Sequence, residues 1–312
     1  MKAPLPNLWL KFCLSITCFL PLLATAQTET DALMMSKKQL CVAGTIGYNS
    51  WENYWEGTFK RDNANLGRVS TKSAMLMLNY GFKNNLNVLA SLPYLKTQAN
   101  AGTLAGMHGF QDVGIFVKWK PLNWQVSQQL ISIYAVGGIS APTNQYNIDF
   151  LPMSIGLGSR VLSGRLIADL QQNKYFLTVS GAYLNRGNVT LDRPAYYTDH
   201  QINSNEVDMP DAGNVQVRTG YRNRRLIMEA FLDNMTTLGG FDIRKNDMPF
   251  VSNKMNSTKV GLEGKYYLAK IPALGFHGNA WHTLSGRNVG QATGFMAGVD
   301  YIFDFSHKIA TK

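Results

Sequence analysis

The stretch Trp281-His282-Thr283-Leu284-Ser285-Gly286-Arg287-Asn288 is the nearest this sequence comes to a catalytic constellation. A His base within hydrogen-bond reach of a Ser hydroxyl could activate it as a nucleophile. Residues two apart on a strand share a face. His282 and Ser285 are three apart and fall on opposite faces unless a bulge intervenes. Metal chemistry is served no better. His108, His200, His277, His282 and His307 show no ligand spacing on one face, and His277 and His282, five apart, point to opposite sides of a strand. No phosphate loop or dinucleotide fingerprint occurs, and the glycines lie within strand-like stretches. These residues point to no catalysis, no cofactor and no metal.

The charged residues do form a pattern. Asp112 and Lys118 oppose Val113, Ile115, Val117 and Trp119, while Arg165 and Asp169 oppose Leu162, Leu166, Ala168 and Leu170. Arg218 and Arg222 oppose Val215, Val217 and Tyr221. Glu229 and Asp233 oppose Leu226, Met228 and Leu232. Lys259, Glu263 and Lys265 oppose Val260, Leu262 and Tyr266. In the last stretch Asp300 opposes Phe295, Val299, Tyr301, Phe303 and Phe305. Strands place alternate residues on opposite faces, so each of these has one apolar and one charged side. Lipid outside and a polar lumen inside would account for all of them. The inward charges then either line a conduit or binding cavity, or pair off to fill a narrow barrel and hold it rigid. Trp51, Tyr54, Trp55, Tyr196, Tyr197 and Phe241 fall between strands, where they could receive an apolar solute or anchor the chain at the interface.

The elements that must position these residues are about ten residues long, the length of a tilted spanning strand. Twelve are expected, near 39–50, 68–82, 86–97, 110–120, 128–140, 158–170, 174–186, 213–222, 225–237, 255–268, 274–285 and 292–305. Short links alternate with long ones. The short set is Lys83 to Asn85, Pro121 to Ser127, Gln171 to Asn173, Asn223-Arg224 and Ala269 to Ala273. Asn-rich pairs and a Pro-containing link are good turn formers. The long set is 51–67, 98–109, 141–157, 187–212, 238–254 and 286–291. The pattern predicts an all-β fold, one antiparallel transmembrane barrel of twelve strands with short periplasmic turns, longer extracellular loops and both termini periplasmic.

The ends and the composition agree. Lys2 and Lys11, the apolar run Phe12 to Leu23 and the Ala24-Thr25-Ala26 site read as a signal peptide over 1–26. Residues 27–38 form a short periplasmic segment, 39–305 the barrel and 306–312 a polar tail. Cys13 and Cys18 leave with the signal, so Cys41 alone admits no internal disulfide. Charged residues are only 16% of the chain, and no second long apolar run occurs, which excludes a helical membrane protein. The net charge of +10 is scattered along an exported chain, so nucleic acid is not an expected partner. Outer-membrane lipid and lipopolysaccharide are.

Three short stretches resemble a known family. They are Asn85-Leu86-Asn87-Val88 with Ser91-Leu92-Pro93-Tyr94, then His108 to Gly114 running on to Lys118-Trp119, and Gly138-Ile139-Ser140-Ala141-Pro142-Thr143. The second is similar to a Gly-x-x-Asp turn entering a strand that ends in Lys and an aromatic. The resemblance is to the MetA-pathway phenol-degradation outer-membrane family. It implies a barrel that passively takes up small hydrophobic or aromatic molecules, with a continuous cavity from the aromatic loops to the lumen or to a lateral gap. Larger hydrocarbon channels carry an N-terminal lumen plug; residues 27–38 are too few for a comparable one, although they could fold inward. The alternative is a structural or surface-interaction barrel whose lumen is sealed by charge pairs. Trp281 to Asn288 also looks loosely like the His-x-Ser segment of twelve-stranded outer-membrane phospholipases, a third reading that needs a His282–Ser285 contact.

Overall fold

The structure, a computed structural model, describes residues 28–245 and 247–306. The expected signal peptide, and all of the 306–312 tail beyond Ser306, lie outside the described residues. Twelve long strands make the wall: β1 (Gln39–Trp51), β2 (Val69–Lys83), β3 (Leu86–Ala99), β4 (Asp112–Val126), β5 (Gln129–Pro142), β6 (Val161–Gln172), β7 (Tyr175–Arg186), β8 (Ala212–Arg222), β9 (Leu226–Thr237), β10 (Asn256–Tyr267), β11 (Leu274–Arg287) and β12 (Thr293–Asp304). Each pairs antiparallel with its sequence neighbours. The first and last strands pair from Gln39↔Asp304 to Ser50↔Thr293, which closes the ring and leaves no edge. A twelve-residue strand tilted by about 40° rises about 30 Å, the thickness of a hydrocarbon layer.

Every strand keeps its apolar parity outward. Leu76, Leu78, Ile115, Val117, Leu162, Leu166, Val179, Val215, Leu262 and Val299 are exposed on the outer face. Tyr175, Tyr183, Tyr266 and Phe303 are exposed toward the strand ends, Phe305 just beyond one, and Trp119 beside the bulge of β4. So large a contiguous apolar surface has to be covered, and a belt with aromatic rims is what lipid covers.

Two hairpins needed a device beyond alternation. In β2 and β3 the outward residues are both even-numbered, yet a two-residue turn at Asn84-Asn85 would pair even with odd. A bulge resolves the conflict: Lys83 pairs with Leu86, but Gly81 already pairs with Asn87. In β5 and in β4 as far as Trp119 the outward residues are odd, whereas Leu122, Trp124 and Val126 beside the turn are outward at even positions. The register shifts between Trp119 and Leu122, around Lys120 and Pro121. Pro121 therefore sits in a bulge within a strand that runs on to Val126, and not in the expected turn over 121–127. Proline has no N–H to donate, so a bulge tolerates it. The turn itself is Ser127-Gln128. A second correction concerns the motif at Gly109. Residues His108–Phe110 continue the wall as a short strand on β3, Gln111 interrupts it, and Asp112 begins β4. Gln111 N–H donates to Pro93 O at 2.9 Å across this break.

Residues 28–38 run inside the end that carries the short turns. Met35 is buried against Cys41, Tyr267 and Ile302 of one wall, while Ala32 packs with Tyr134, Val136 and Ile167 of the other. The segment thus crosses the lumen. Lys38 N–H donates to Gly81 O at 2.8 Å, where a Cβ in place of the glycine hydrogen would overlap the Ser36 carbonyl. At the opposite end the long loops build their own core. Ile148 and Leu151 from 143–160, Val189, Leu191, Tyr196, Val207 and Met209 from 187–211, and Val251 from 238–255 form one buried cluster.

That cluster joins three loops that share no long strand, so it should open on its own. Val207 is 1% exposed and pairs with Val189. In Val207→Asp an unpaired carboxylate enters the cluster at a cost of several kcal/mol. The expected outcome is rapid protease cleavage within 187–211, with the heat-dependent gel shift of the intact barrel unchanged.

Candidate functional site in the barrel lumen

The inward faces carry the polar residues, and a buried charge needs a partner. Lys118 from β4 is fully buried, and its ammonium donates to Thr28 O at 2.6 Å, Asp31 Oδ1 at 2.9 Å and Leu33 O at 3.2 Å. Three protons meet three acceptors, all on the N-terminal segment. Asp31 also accepts the Thr28 and Leu33 N–H groups, at 2.6 and 3.0 Å, and lies 4.0 Å from Lys265 Nζ. Burial alone would raise the Asp31 carboxyl, but Lys118, Lys265 and the Thr28 amide outweigh it and hold it below the ordinary carboxylate value.

From Asp31 the network continues along adjacent strands. Lys265 lies 3.5 Å from Glu263, and Glu263 3.2 Å from Arg218. The Arg218 guanidinium also pairs with Glu229, donates to Gln216 at 2.7 Å and reaches Thr30 Oγ1 at 3.3 Å. Five of the twelve charges read from the sequence are thereby joined through Asp31. The others are placed separately. Arg222 pairs with Asp169 at 3.3 Å and lies over the Phe176 ring at 3.9 Å. Arg165 is held by Ser180 and Asn214, and Asp233 by Asn214 and Gln216. Lys259 sits 4.8 Å from the Trp281 ring. Asp300 meets His277 Nδ1 at 3.0 Å, and His277 Nε2 meets Thr45. Asp112 accepts from Tyr146 of the 143–160 loop at 2.6 Å, which ties the wall to the loop core.

Above the network lies a cavity of about 240 Å³. Met75, Met77, Met296 and Ala43 form its apolar side, and Thr28 to Thr30 with Arg218, Glu263 and Lys265 its charged side. The Asn279 Oδ1 atom is buried at its wall with no partner among the described residues. This arrangement suits a small molecule with an apolar body and one hydrogen-bond donor. Sequence reasoning missed Asp31 and the methionines. The signal for the first was Ala32-Leu33-Met34-Met35, an apolar run inside a segment read as a short periplasmic one that could fold inward.

The loop aromatics divide. Trp51 and Tyr54, 5.6 Å apart, line a second cavity of about 300 Å³ with Leu66, Leu104, Pro152 and Met248. The two cavities share no lining residue. Trp55 is buried with Lys60 beside its ring. Tyr196 stacks on Phe250 within the loop core, Phe241 lies 6.2 Å from the same ring, and Tyr197 is exposed under Arg244. The His–Ser pair needs a correction. A bulge at Leu284 does bring Ser285 to the outward face of His282, since Thr258 pairs with Ser285 and Val260 with His282. The ring nitrogens of His282 nevertheless bond to Thr293 and Gln291, not to Ser285.

No protein-family model matches the sequence, and no curated protein is significantly similar to it. Solved structures are similar in fold. An outer-membrane channel from Pseudomonas putida F1 superposes with a TM-score of 0.70 at 11% identity, over 90% of this chain and 100% of that one. The translocator domain of the autotransporter NalP from Neisseria meningitidis gives 0.45 at 10% identity, over 86% and 90%. The CymD monoaromatic hydrocarbon channel gives 0.39 at 9%, over 88% and 90%. The first similarity shows that the chain has the fold of an outer-membrane channel.

The Asp31–Lys118 contact gives a test with a defined sign. A carboxyl held below its unfolded value contributes stability that is present above that value and is lost as pH falls through the lowered one. Docking of 28–38 should therefore persist from neutral pH down past the ordinary carboxylate range, then fail. Asp31→Asn leaves the Lys118 ammonium buried without its anion, at a cost of about 3–5 kcal/mol. The variant should show a protease-accessible segment at neutral pH and raised conductance in planar bilayers, with no further acid transition.

Proposed function

We propose that the protein lies in a bacterial outer membrane and passively conducts small hydrophobic or aromatic molecules. Its short turns and N-terminal segment face the periplasm, and its long loops face outward. One observation carries this reading: the cavity walled by Met75, Met77 and Met296 lies inside a ring whose outer face is matched to lipid. Methionine side chains are flexible and polarizable, so they accommodate varied apolar shapes. The Trp51–Tyr54 cavity at the loop end supplies a first contact for such a solute. Passage between the two requires the loops to move, onward passage requires the 28–38 segment to move, and no energy source of the protein's own is invoked.

The three motifs that resemble the phenol-degradation family support the same reading. They converge on one part of the wall. Thr143 Oγ1 donates to Gln111 O at 2.7 Å and Asn144 Nδ2 to Phe110 O at 2.9 Å, both beside Pro93. Lys118, at the end of the second motif, anchors the N-terminal segment.

The pairing of lumen charges favours a second reading, a barrel whose lumen is permanently sealed and which serves a structural or surface role. Uptake separates the two. Deleting the gene should slow initial uptake of a panel of radiolabelled monocyclic aromatics and short-chain alcohols several-fold. The wild-type gene should restore it, while Met77→Trp, which fills the cavity, should not. Unchanged uptake across the panel would favour the sealed barrel.

A further inference from the structure

The outward face of the wall carries an anomaly. Beyond Lys83 and Lys120 beside the short turns and Arg287, which the bulge in β11 turns outward and Asp242 pairs at 2.7 Å, Lys72 and Lys96 are the only Asp, Glu, Lys or Arg residues on the outward parity of the twelve strands. They are direct cross-strand partners. Lys96 in turn pairs with His108 of the short strand that continues the wall. All three side chains are exposed. Like charges placed directly opposite repel each other, and among the described residues no ion pair includes any of the three. Glu52, near the same end of the wall, is taken by Arg68 at 2.7 Å.

The neighbouring rows on the same face show the depth. Two residues toward the barrel middle, Ala74 pairs with Tyr94 and Tyr94 with Phe110, the two rings meeting edge to face at 5.3 Å. Two residues further lie Leu76 and Leu92. Two residues the other way, Ser70 pairs with Gln98. The order is aliphatic, aromatic, cationic, polar, which is the order of a bilayer from core to headgroup. The cationic row therefore sits at headgroup depth on the side of the long loops.

We propose that Lys72 and Lys96, adjoined by His108, form a binding site for the phosphates of a glycolipid headgroup in the outer leaflet. A phosphate between two ammonium groups converts their repulsion into two charge-assisted hydrogen bonds. The lysine stems lie along the apolar face while their heads reach the anion, and Tyr94 and Phe110 pack against the acyl region below. The site rests on the orientation proposed above, with the long loops outward. It does not depend on what the lumen conducts.

The same chemistry could come from a phospholipid or from free phosphate, and the test separates them. Mature protein purified in a non-ionic detergent is mixed in turn with bisphosphorylated lipid A, dephosphorylated lipid A, phosphatidylglycerol and inorganic phosphate, and retention is read by native mass spectrometry. Bisphosphorylated lipid A should be retained at least tenfold better than its dephosphorylated form. Lys72→Gln/Lys96→Gln should lose that preference, and Lys72→Arg/Lys96→Arg should keep it. An unchanged heat-dependent gel shift shows that each variant is folded. Equal retention of both lipid A forms, or equal retention by wild type and the glutamine variant, would overturn the site. A preference for phosphatidylglycerol, or binding of inorganic phosphate alone, would overturn its assignment to an outer-leaflet glycolipid. Failure here leaves the uptake reading standing, and a failed uptake assay leaves the lipid site standing.

Discussion

A backbone amide surrounded by hydrocarbon has no water to bond with, so each N–H and C=O of a lipid-facing wall must find a partner within the wall. The pairing of β1 with β12 meets that condition at the one place where an open sheet would fail. Once the ring is closed, the period of two decides everything else. A residue is either in lipid or in the lumen, and a one-residue slip would exchange the two sets. Leu76, Ile115, Leu166 and Leu262 can then only go outside, and Lys118, Arg218, Glu263 and Lys265 can only go inside.

Inside, the same exclusion of water acts on charge. Desolvating an ammonium is costly unless its protons are all accepted. The wall alone does not satisfy Lys118; the N-terminal segment does, with two carbonyls and Asp31. The segment is thus held by the needs of the wall as much as by its own apolar contacts at Ala32 and Met35. Eleven residues would be too few to fill a lumen by bulk. They suffice to cross one because their polar atoms meet charges already in place.

The sequence showed the wall far better than what lies within it. Alternation along β10 and β12 is plain because every charged residue there takes the parity opposite to the lipid-facing stripe. The bulges were not legible, because the expected links Lys83 to Asn85 and Pro121 to Ser127 hold odd numbers of residues and match same-parity stripes without one, whereas the turns in the structure hold two residues. Same-parity stripes flanking a two-residue turn cannot both face lipid unless one extra residue intervenes, and Gly81–Lys83 and Lys120-Pro121 supply it. The Lys72–Lys96 pairing follows from that bulge, since without it Lys72 would stand opposite Thr97. The path of 28–38 was not legible. No alternation marks it, and its partners lie on β2, β4, β5, β8 and β10, contacts that only closure brings together.

The two closures of the lumen differ in physical kind. At the short-turn end the seal is ionic, built on Asp31, Lys118 and Lys265, so it weakens with protonation and not with the apolar character of a solute. At the long-loop end the loops are held by the apolar cluster around Val207 and Val251, which under the proposed function is the outer seal and would yield to an apolar solute but not to charge. Under the proposed function, a hydrophobic molecule arriving from the loop side would therefore meet first the barrier it is able to open. It would then reach the methionine-walled cavity with the ionic seal still intact beneath it. A hydrophilic molecule meets the barriers in the same order but has no favourable interaction with the first. Under the proposed function, two unlike seals in series would select for apolar solutes. One kind of seal at both ends would lack that selectivity.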